Sequence, residues 1–204
     1  MKKLFTLGTA FIFSAMFAFA DQAKAQSPLN FGVKGGVNIT NISGPGDSPD
    51  SRTGILAGIV VDISLPAVPL GVETGLYYSQ KGAESEEMGA TMSTNLDYLE
   101  VPVLAKLSIG PPGPFTPHIL AGPYLAFNIN AEDDFEGQTT DISDSINSTD
   151  FGGVVGVGAD FSLGLTTLNA QARYSFGLTS VFDSDMVQDD YKNRAITLSV
   201  GIMF

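Results

Sequence analysis

The feature that most constrains this 204-residue chain is an alternation of apolar and polar side chains with a period of two, repeated in eight segments. Because adjacent side chains of a β-strand point to opposite faces, this alternation predicts strands rather than helices. The segments span approximately residues 30–40, 53–64, 71–82, 95–108, 117–130, 150–163, 166–180 and 193–204. Each is long enough to cross a bilayer as a tilted strand, which needs roughly 9 to 11 residues.

A second constraint is that no apolar run of about 18 residues, the length that a transmembrane helix needs, occurs after residue 25. Hydrocarbon offers no hydrogen-bond partner for backbone N–H and C=O groups. A chain without such a helix can therefore span a membrane only as a closed sheet.

The two faces of the predicted strands differ in composition. One face is apolar and includes Ile59, Val103, Phe127 and Leu198. The other is rich in glycine and small polar residues, and it carries the charges of Lys34, Asp62, Glu73, Lys81, Glu100, Lys106, Asp160 and Arg173. A soluble barrel needs large side chains to fill its core, and this second face would fill one badly.

We therefore predict that the apolar face meets lipid and that a network of charges lies in the lumen. The predicted network consists of Lys34, Asp62, Glu73, Glu100, Lys106, Asp160 and Arg173, with the pairing left open. A soluble two-layer sandwich or a lipocalin-like barrel, whose strands also alternate, is the alternative.

The connections between the segments alternate between long and short, as they do in outer-membrane barrels with long external loops and short periplasmic turns. The long connections are residues 41–52, 83–94, 131–149 and 181–192, and the short ones are 65–70, 109–116 and 163–165. Acidic residues concentrate in the long connections, where they are solvated or bind divalent cations weakly. Together these patterns predict an all-β fold, an eight-stranded antiparallel up-and-down transmembrane β-barrel.

The N-terminal segment has the form of a secretory signal peptide. Lys2 and Lys3 precede an apolar stretch, residues 4–20, and the small-residue site Ala23-Lys24-Ala25 follows. We predict cleavage before Gln26, so that residues 1–25 are removed and residues 26–204 form one outer-membrane barrel domain. An uncleaved membrane anchor is the alternative.

Charge and cysteine content exclude several classes of protein. Residues 26–204 contain seven basic and 21 acidic residues, a net charge of −14. Without a basic surface to neutralise phosphates, the chain is not expected to bind nucleic acid. The absence of cysteine removes disulfides, thiolate metal sites and cysteine nucleophiles.

The ordered set of strand motifs resembles the PorT-like outer-membrane β-barrel family of Bacteroidota. The motifs that carry the resemblance are Phe31-Gly-Val-Lys-Gly-Gly-Val-Asn38, Glu73-Thr-Gly-Leu-Tyr-Tyr-Ser-Gln-Lys-Gly82, Tyr98-Leu-Glu-Val-Pro-Val103, Gly122-Pro-Tyr-Leu125, Asp150-Phe-Gly152 and Ala172-Arg-Tyr-Ser-Phe-Gly-Leu178. The last strand ends on Phe204, which resembles the C-terminal signal read by the barrel assembly machinery. The resemblance implies an outer-membrane location, contact with outer-membrane lipid and an accessory role in protein secretion, and it brings no catalytic motif.

Two motifs could indicate other chemistry. Residues 152–158 superficially resemble a dinucleotide-binding glycine motif, but no helix pattern follows. His118, the only histidine, lacks a recognisable serine and acid spacing. We therefore expect a structural or interaction barrel with no enzymatic activity, no cofactor and no metal. The alternatives are a narrow ion or solute pore, a membrane enzyme that uses His118 and a soluble periplasmic binding protein.

Overall fold

The computed structural model describes residues 29–43, 50–65, 68–87, 90–111, 113–135, 138–181 and 191–204. The predicted signal peptide lies outside these residues, and so do the acidic residues of segment 182–190. None of the helices in the described ranges is long and apolar enough to cross a membrane.

The described residues form nine β-strands and one short 3₁₀ turn. The strands are β1 Leu29–Ser43, β2 Asp50–Ser64, β3 Leu70–Glu87, β4 Ala90–Ser108, β5 Phe115–Phe135, β6 Gln138–Asp141, β7 Thr149–Ser162, β8 Thr167–Gly177 and β9 Lys192–Met203, and the turn is Ser143–Ser145.

All strand pairs are antiparallel, and eight of the described strands close into a barrel. The order is β4-β3-β2-β1-β9-β8-β7-β5, and β4 pairs with β5 to complete the circle. The short strand β6 pairs only with the outer part of β5 and stands outside the closed ring. The predicted fold, an eight-stranded antiparallel β-barrel, is confirmed.

The strand boundaries correct two of the predicted long connections. Residues 131–149 contain the outer end of β5, as far as Phe135, and the short strand β6. Residues 83–94 were expected to form a loop, but β3 and β4 remain paired through this segment as far as Glu87 and Ala90. The prediction of a loop was wrong because the polar residues here do not show the alternation that identifies a half-buried strand. Paired strands that extend into water satisfy their backbone groups without needing an apolar face.

The short connections lie together at one end of the barrel, which we call the short-turn end, and the opposite end is the loop end. At the short-turn end, β7 and β8 are joined by a tight turn in which the Leu163 N–H donates to the Thr166 carbonyl oxygen at 2.8 Å. Gly164 has a φ of 87°, in the left-handed region that favours glycine. A glycine at this position therefore allows the chain to reverse within four residues.

The apolar face of the strands is outside and the charged face is inside. Val103, Phe127 and Leu198 expose 50%, 44% and 48% of their surface, whereas Lys34 and Glu73 expose 3% and 1%. This distribution is the reverse of that in a soluble barrel, whose apolar face fills the core. In a membrane, the same exterior is in contact with hydrocarbon.

Tyrosine rings fill the lumen where the neighbouring strand carries glycine. A Cβ atom on Gly152 would lie 2.6 Å from Tyr124 Cε1, and one on Gly58 would lie 2.8 Å from Tyr77 Cδ1. Both tyrosines are almost completely buried. The glycines of the inner face therefore leave room for large rings, and the lumen is packed more densely than the glycine content suggests.

Candidate functional site: the lumen of the barrel

The centre of the lumen contains a network of charged and polar side chains, which we call the central network: Lys34, Glu73, Gln171 and Arg173. Lys34 Nζ donates to Glu73 Oε1 at 2.7 Å and to Gln171 Oε1 at 2.9 Å. Gln171 Nε2 donates to Glu73 Oε2 at 2.7 Å, and the Arg173 guanidinium donates to both Glu73 and Gln171. Strands β1, β3 and β8 are thus joined across the lumen by charge-assisted hydrogen bonds.

Closer to the short-turn end lies a second group, the lower network, made of Asp62, Lys106 and Asp160. The Lys106 ammonium contacts both carboxylates, at 2.7 Å in the case of Asp160 Oδ2. Asn169 Nδ2 donates to the other oxygen of Asp160 at 2.6 Å. Two carboxylates therefore share one ammonium, and the lower network has a net charge of −1.

His118 lies between the central and lower networks and is almost completely buried. Its Nε2 is 3.2 Å from Gln171 Nε2, and its Nδ1 is 3.5 Å from Asp160 Oδ2. An amide and a carboxylate therefore face the two ring nitrogens. This is an arrangement that positions a histidine inside a polar core, and it does not resemble the nucleophile, base and acid of a hydrolase.

Towards the loop end lies a third group, the upper network, centred on Lys81. Its ammonium is 2.9 Å from Glu100 Oε2 and 3.7 Å from Asp150 Oδ2. It also lies over the Tyr124 ring, 4.5 Å from the centroid, and near the Tyr98 ring at 5.3 Å. Tyr124 Oη donates to Asp150 Oδ2 at 3.0 Å, so the aromatic rings and carboxylates form one cage around the lysine.

All seven residues of the predicted lumen network face the inside of the barrel, but they do not form one cluster. Six of them belong to the adjacent central and lower networks, while Glu100 pairs with Lys81 farther along the barrel. Asp150, Tyr98 and Tyr124 were not predicted as members. The period-two alternation could have identified them. Asp150 lies an even number of positions from Asp160 and therefore points to the same face, and each tyrosine lies an even number of positions from an inward-facing residue of its strand.

The loop end of the lumen is closed by an apolar cluster that we call the outer cap: Ile142, Ile146, Val181 and Tyr191. Ile146 and Val181 are buried among interior residues at the ends of the barrel strands, and Ile142 and Tyr191 pack against them. Backbone hydrogen bonds hold the segment in place, from Ile142 N to the Ala131 oxygen at 3.0 Å and from Asn147 N to the Val181 oxygen at 2.8 Å. The connection after β6 therefore folds into the mouth of the barrel.

An acidic residue fixes the start of this connection. The Ser143 backbone N–H donates to Asp141 Oδ1 at 2.8 Å. This hydrogen bond lowers the pKa of the Asp141 carboxyl group, which lies outside the barrel. The carboxylate therefore stays charged in mildly acidic solution and continues to hold the start of the 3₁₀ turn.

The short-turn end of the lumen is open. A cavity of about 650 Å³ lies there, bounded on its inner side by Asp62, Lys106 and Asp160. Within the described ranges, no group of three or more histidine, aspartate and glutamate side chains is arranged to hold a metal ion. Phe204 lies at the same end with its side chain exposed, and its backbone exchanges two hydrogen bonds with Phe31 of β1.

Comparison with known proteins identifies a family to which the sequence is similar. The family model described as "Outer membrane protein beta-barrel domain" matches residues 19–183. None of the curated proteins matches the chain in sequence.

Three solved structures share the fold at low sequence identity. Neisserial surface protein A is 18% identical with a TM-score of 0.50, over 85% of this chain and 95% of its own. The outer membrane protein OprG from Pseudomonas aeruginosa is 14% identical with a TM-score of 0.50, over 86% and 95%. A major outer membrane protein from Thermus thermophilus is 15% identical with a TM-score of 0.51, over 86% and 98%.

Proposed function

Because this chain belongs to the family of outer membrane protein β-barrel domains, we propose that it is a non-enzymatic outer-membrane barrel with a structural or interaction role and a lumen that does not conduct ions. The short-turn end then faces the periplasm and the loop end faces the exterior. The proposal includes removal of residues 1–25 as a signal peptide.

The observation that carries this proposal is the filling of the lumen at three levels. Lys34, Glu73 and Arg173 are each buried to more than nine-tenths in the central network, and Lys81 is equally buried in the upper network. The outer cap closes the loop end above them. An ion path would need continuous water where the barrel holds paired charges and tyrosine rings. Eight strands leave an interior just wide enough for such side chains.

The non-enzymatic part of the proposal is supported by the surroundings of His118. Both of its ring nitrogens face side chains of the polar core, and the residue is buried to 1% exposure. A general base must reach a proton of the substrate, and a ring buried inside the lumen in this way does not.

The interaction part of the proposal rests on the loop end. The outer parts of β3, β4 and β5 extend beyond the closed ring together with β6, whose four residues are all exposed. Acidic residues lie along this extension, among them Glu84, Glu132, Asp133 and Asp141. An acidic surface that projects from the membrane favours basic partners or cations. Membership of the PorT-like subgroup and an accessory role in protein secretion belong to the proposal on the basis of the strand motifs.

Planar-bilayer recording of the purified, refolded protein tests the proposal. We expect no unitary current steps from preparations whose folding has been checked by resistance to detergent before heating. Reproducible steps, with an ion selectivity that changes in the Glu100→Gln variant, would establish the narrow pore instead. Glu100 suits this test because it is the predicted network residue nearest the loop end, in the upper network.

A further inference from the structure

The cavity at the short-turn end has a wall of regular composition. Five hydroxyl-bearing side chains line it, Ser64, Ser108, Thr116, Ser162 and Thr167. Each lies two positions along the chain from a polar residue of the lumen, so each is the next residue on the inner face. The five side chains therefore form a partial ring at the short-turn end of the lumen, in which Thr116 lies opposite Asp160 and Ser108 lies opposite His118 in the strand pairing. We call this ring and the cavity that it surrounds the vestibule.

The three charged groups that line the vestibule have a formal net charge of −1. Asp62, Lys106 and Asp160 line the cavity, and the single ammonium is shared by the two carboxylates. The Asp160 side chain retains 18% of its accessible surface, against 7% for each of the other two. Asp160 is therefore the charged group that a molecule entering the vestibule meets most directly, and a cation is favoured over an anion.

One part of the lining is apolar. Val68, Leu70 and Met203 take part in it alongside the hydroxyl ring. A sugar ring presents hydroxyl groups at its edge and C–H groups on its faces, so a lining of this mixed type suits it. The cavity volume of about 650 Å³ lies within the range of roughly 300 to 1,000 Å³ that is usual for small-molecule sites.

We propose that the vestibule binds a small polyhydroxylated molecule that carries one primary amine, a ligand of the amino-sugar class. The ammonium group lies against Asp160, the hydroxyl groups exchange hydrogen bonds with the serine and threonine ring, and the apolar ring face lies against Met203. Each hydroxyl of the protein can both donate and accept, which matches a polyol. Because the outer cap closes the loop end, the ligand enters and leaves from the short-turn side.

Comparing the binding of three sugars of nearly equal size tests the role of the amine separately from that of the hydroxyl groups. We would titrate the refolded protein in lipid nanodiscs with glucosamine, glucose and glucuronate in mildly acidic buffer and follow the ¹³C-methyl signal of Met203. The Met203→Leu variant assigns that signal. The methyl group of Met92, exposed on the outer part of β4, is the internal control. We expect a saturable shift of Met203 with glucosamine, affinity lower by about tenfold or more for glucose, and no binding of glucuronate.

Equal affinity for glucose and glucosamine would overturn the role assigned to Asp160 and to the amine. The absence of a saturable Met203 shift with all three sugars would overturn the whole proposal. Both results come from the unaltered protein, so they do not depend on whether a variant folds.

A matched pair of variants tests the assignment of the charge. Asp160→Asn is expected to reduce the preference for glucosamine over glucose to less than about threefold, because the charge-assisted part of the hydrogen bond is lost. Asp141→Asn removes a carboxylate at the opposite end and is expected to leave the preference unchanged. A full preference in folded Asp160→Asn would contradict the proposal.

Discussion

At the scale of single residues, the charged side chains buried in the lumen pair with one another, because water does not reach them. Lys81 is the clearest example, since Glu100, Asp150 and two tyrosine rings surround its ammonium. Removal of one member of a buried ion pair leaves the partner charge without compensation, and this usually costs more than the pair contributes. The prediction for this residue follows from that asymmetry.

We expect Lys81→Met to lower the free energy of unfolding by about 3 to 5 kcal/mol, because two buried carboxylates lose their shared cation. Urea titration in lipid vesicles, with the folded fraction read from gel migration before heating, measures the change. The double variant Lys81→Met with Glu100→Gln should recover part of the loss. A Lys81→Met protein as stable as the wild type would contradict the role of the upper network.

The glycines of the inner face give a second prediction at this scale. Gly152→Ala would place a methyl group against the Phe176 backbone oxygen and the Tyr124 ring, and we expect overpacking to lower the free energy of unfolding by about 1 to 3 kcal/mol. Gly35→Ala, on the outer face of β1, is the control, because a Cβ atom there would lie 3.8 Å from the Leu56 oxygen, an ordinary contact. The same urea titration compares the two. Equal effects of both substitutions would show that the close packing around Gly152 is unimportant for stability.

The sequence predicted these residues unequally. Lys34, Glu73 and Arg173 were correctly placed on the inner face, because the alternation of side chains can be read from each strand alone. The pairing of Glu100 with Lys81 rather than with Arg173 was not predictable, because it depends on the register of β3 against β4. Register arises from the closure of the whole barrel, and no single strand encodes it.

At the scale of elements, the strands of one half of the barrel are longer than the membrane requires. β3, β4 and β5 contain 18, 19 and 21 residues, whereas β8 and β9 contain 11 and 12. The alternation identified the parts of these strands that pass through the apolar band. It could not identify the outer parts, where water lies on both sides and the polar residues look like those of a loop.

The outer cap is an element whose attachment can be tested separately from the barrel. We expect Val181→Asp to detach it, because the substitution introduces a charge among apolar side chains. Limited proteolysis should then show new cleavage between residues 138 and 148, while resistance to detergent before heating is retained. Ser148→Asp, at an exposed position, is the control. Unchanged proteolysis of the Val181→Asp protein would show that the cap does not depend on apolar packing.

At the scale of the whole molecule, the structure joins an apolar exterior to a polar, filled interior. The apolar exterior places the barrel in a bilayer. In the part of the chain that the structure describes, the three networks and the outer cap fill the lumen, and only its short-turn end is open. The fold class followed from the sequence because period-two alternation predicts strands and the charged, glycine-rich face would fill a soluble core badly. The vestibule was not predictable from the sequence, because a cavity forms only when all the strands of the barrel come together.

Adjacent residues on β9 provide the most direct measurement of which face meets lipid. The chain has no cysteine, so single cysteines can carry a spin label at Val200, which is 61% exposed, and at Ser199, which is 6% exposed. In protein refolded into lipid vesicles, we predict that the label at position 200 is readily reached by oxygen and not by a water-soluble nickel complex. The label at position 199 should show little access to oxygen. The reverse pattern, or equal access at both positions, would contradict the assignment of the apolar face to lipid.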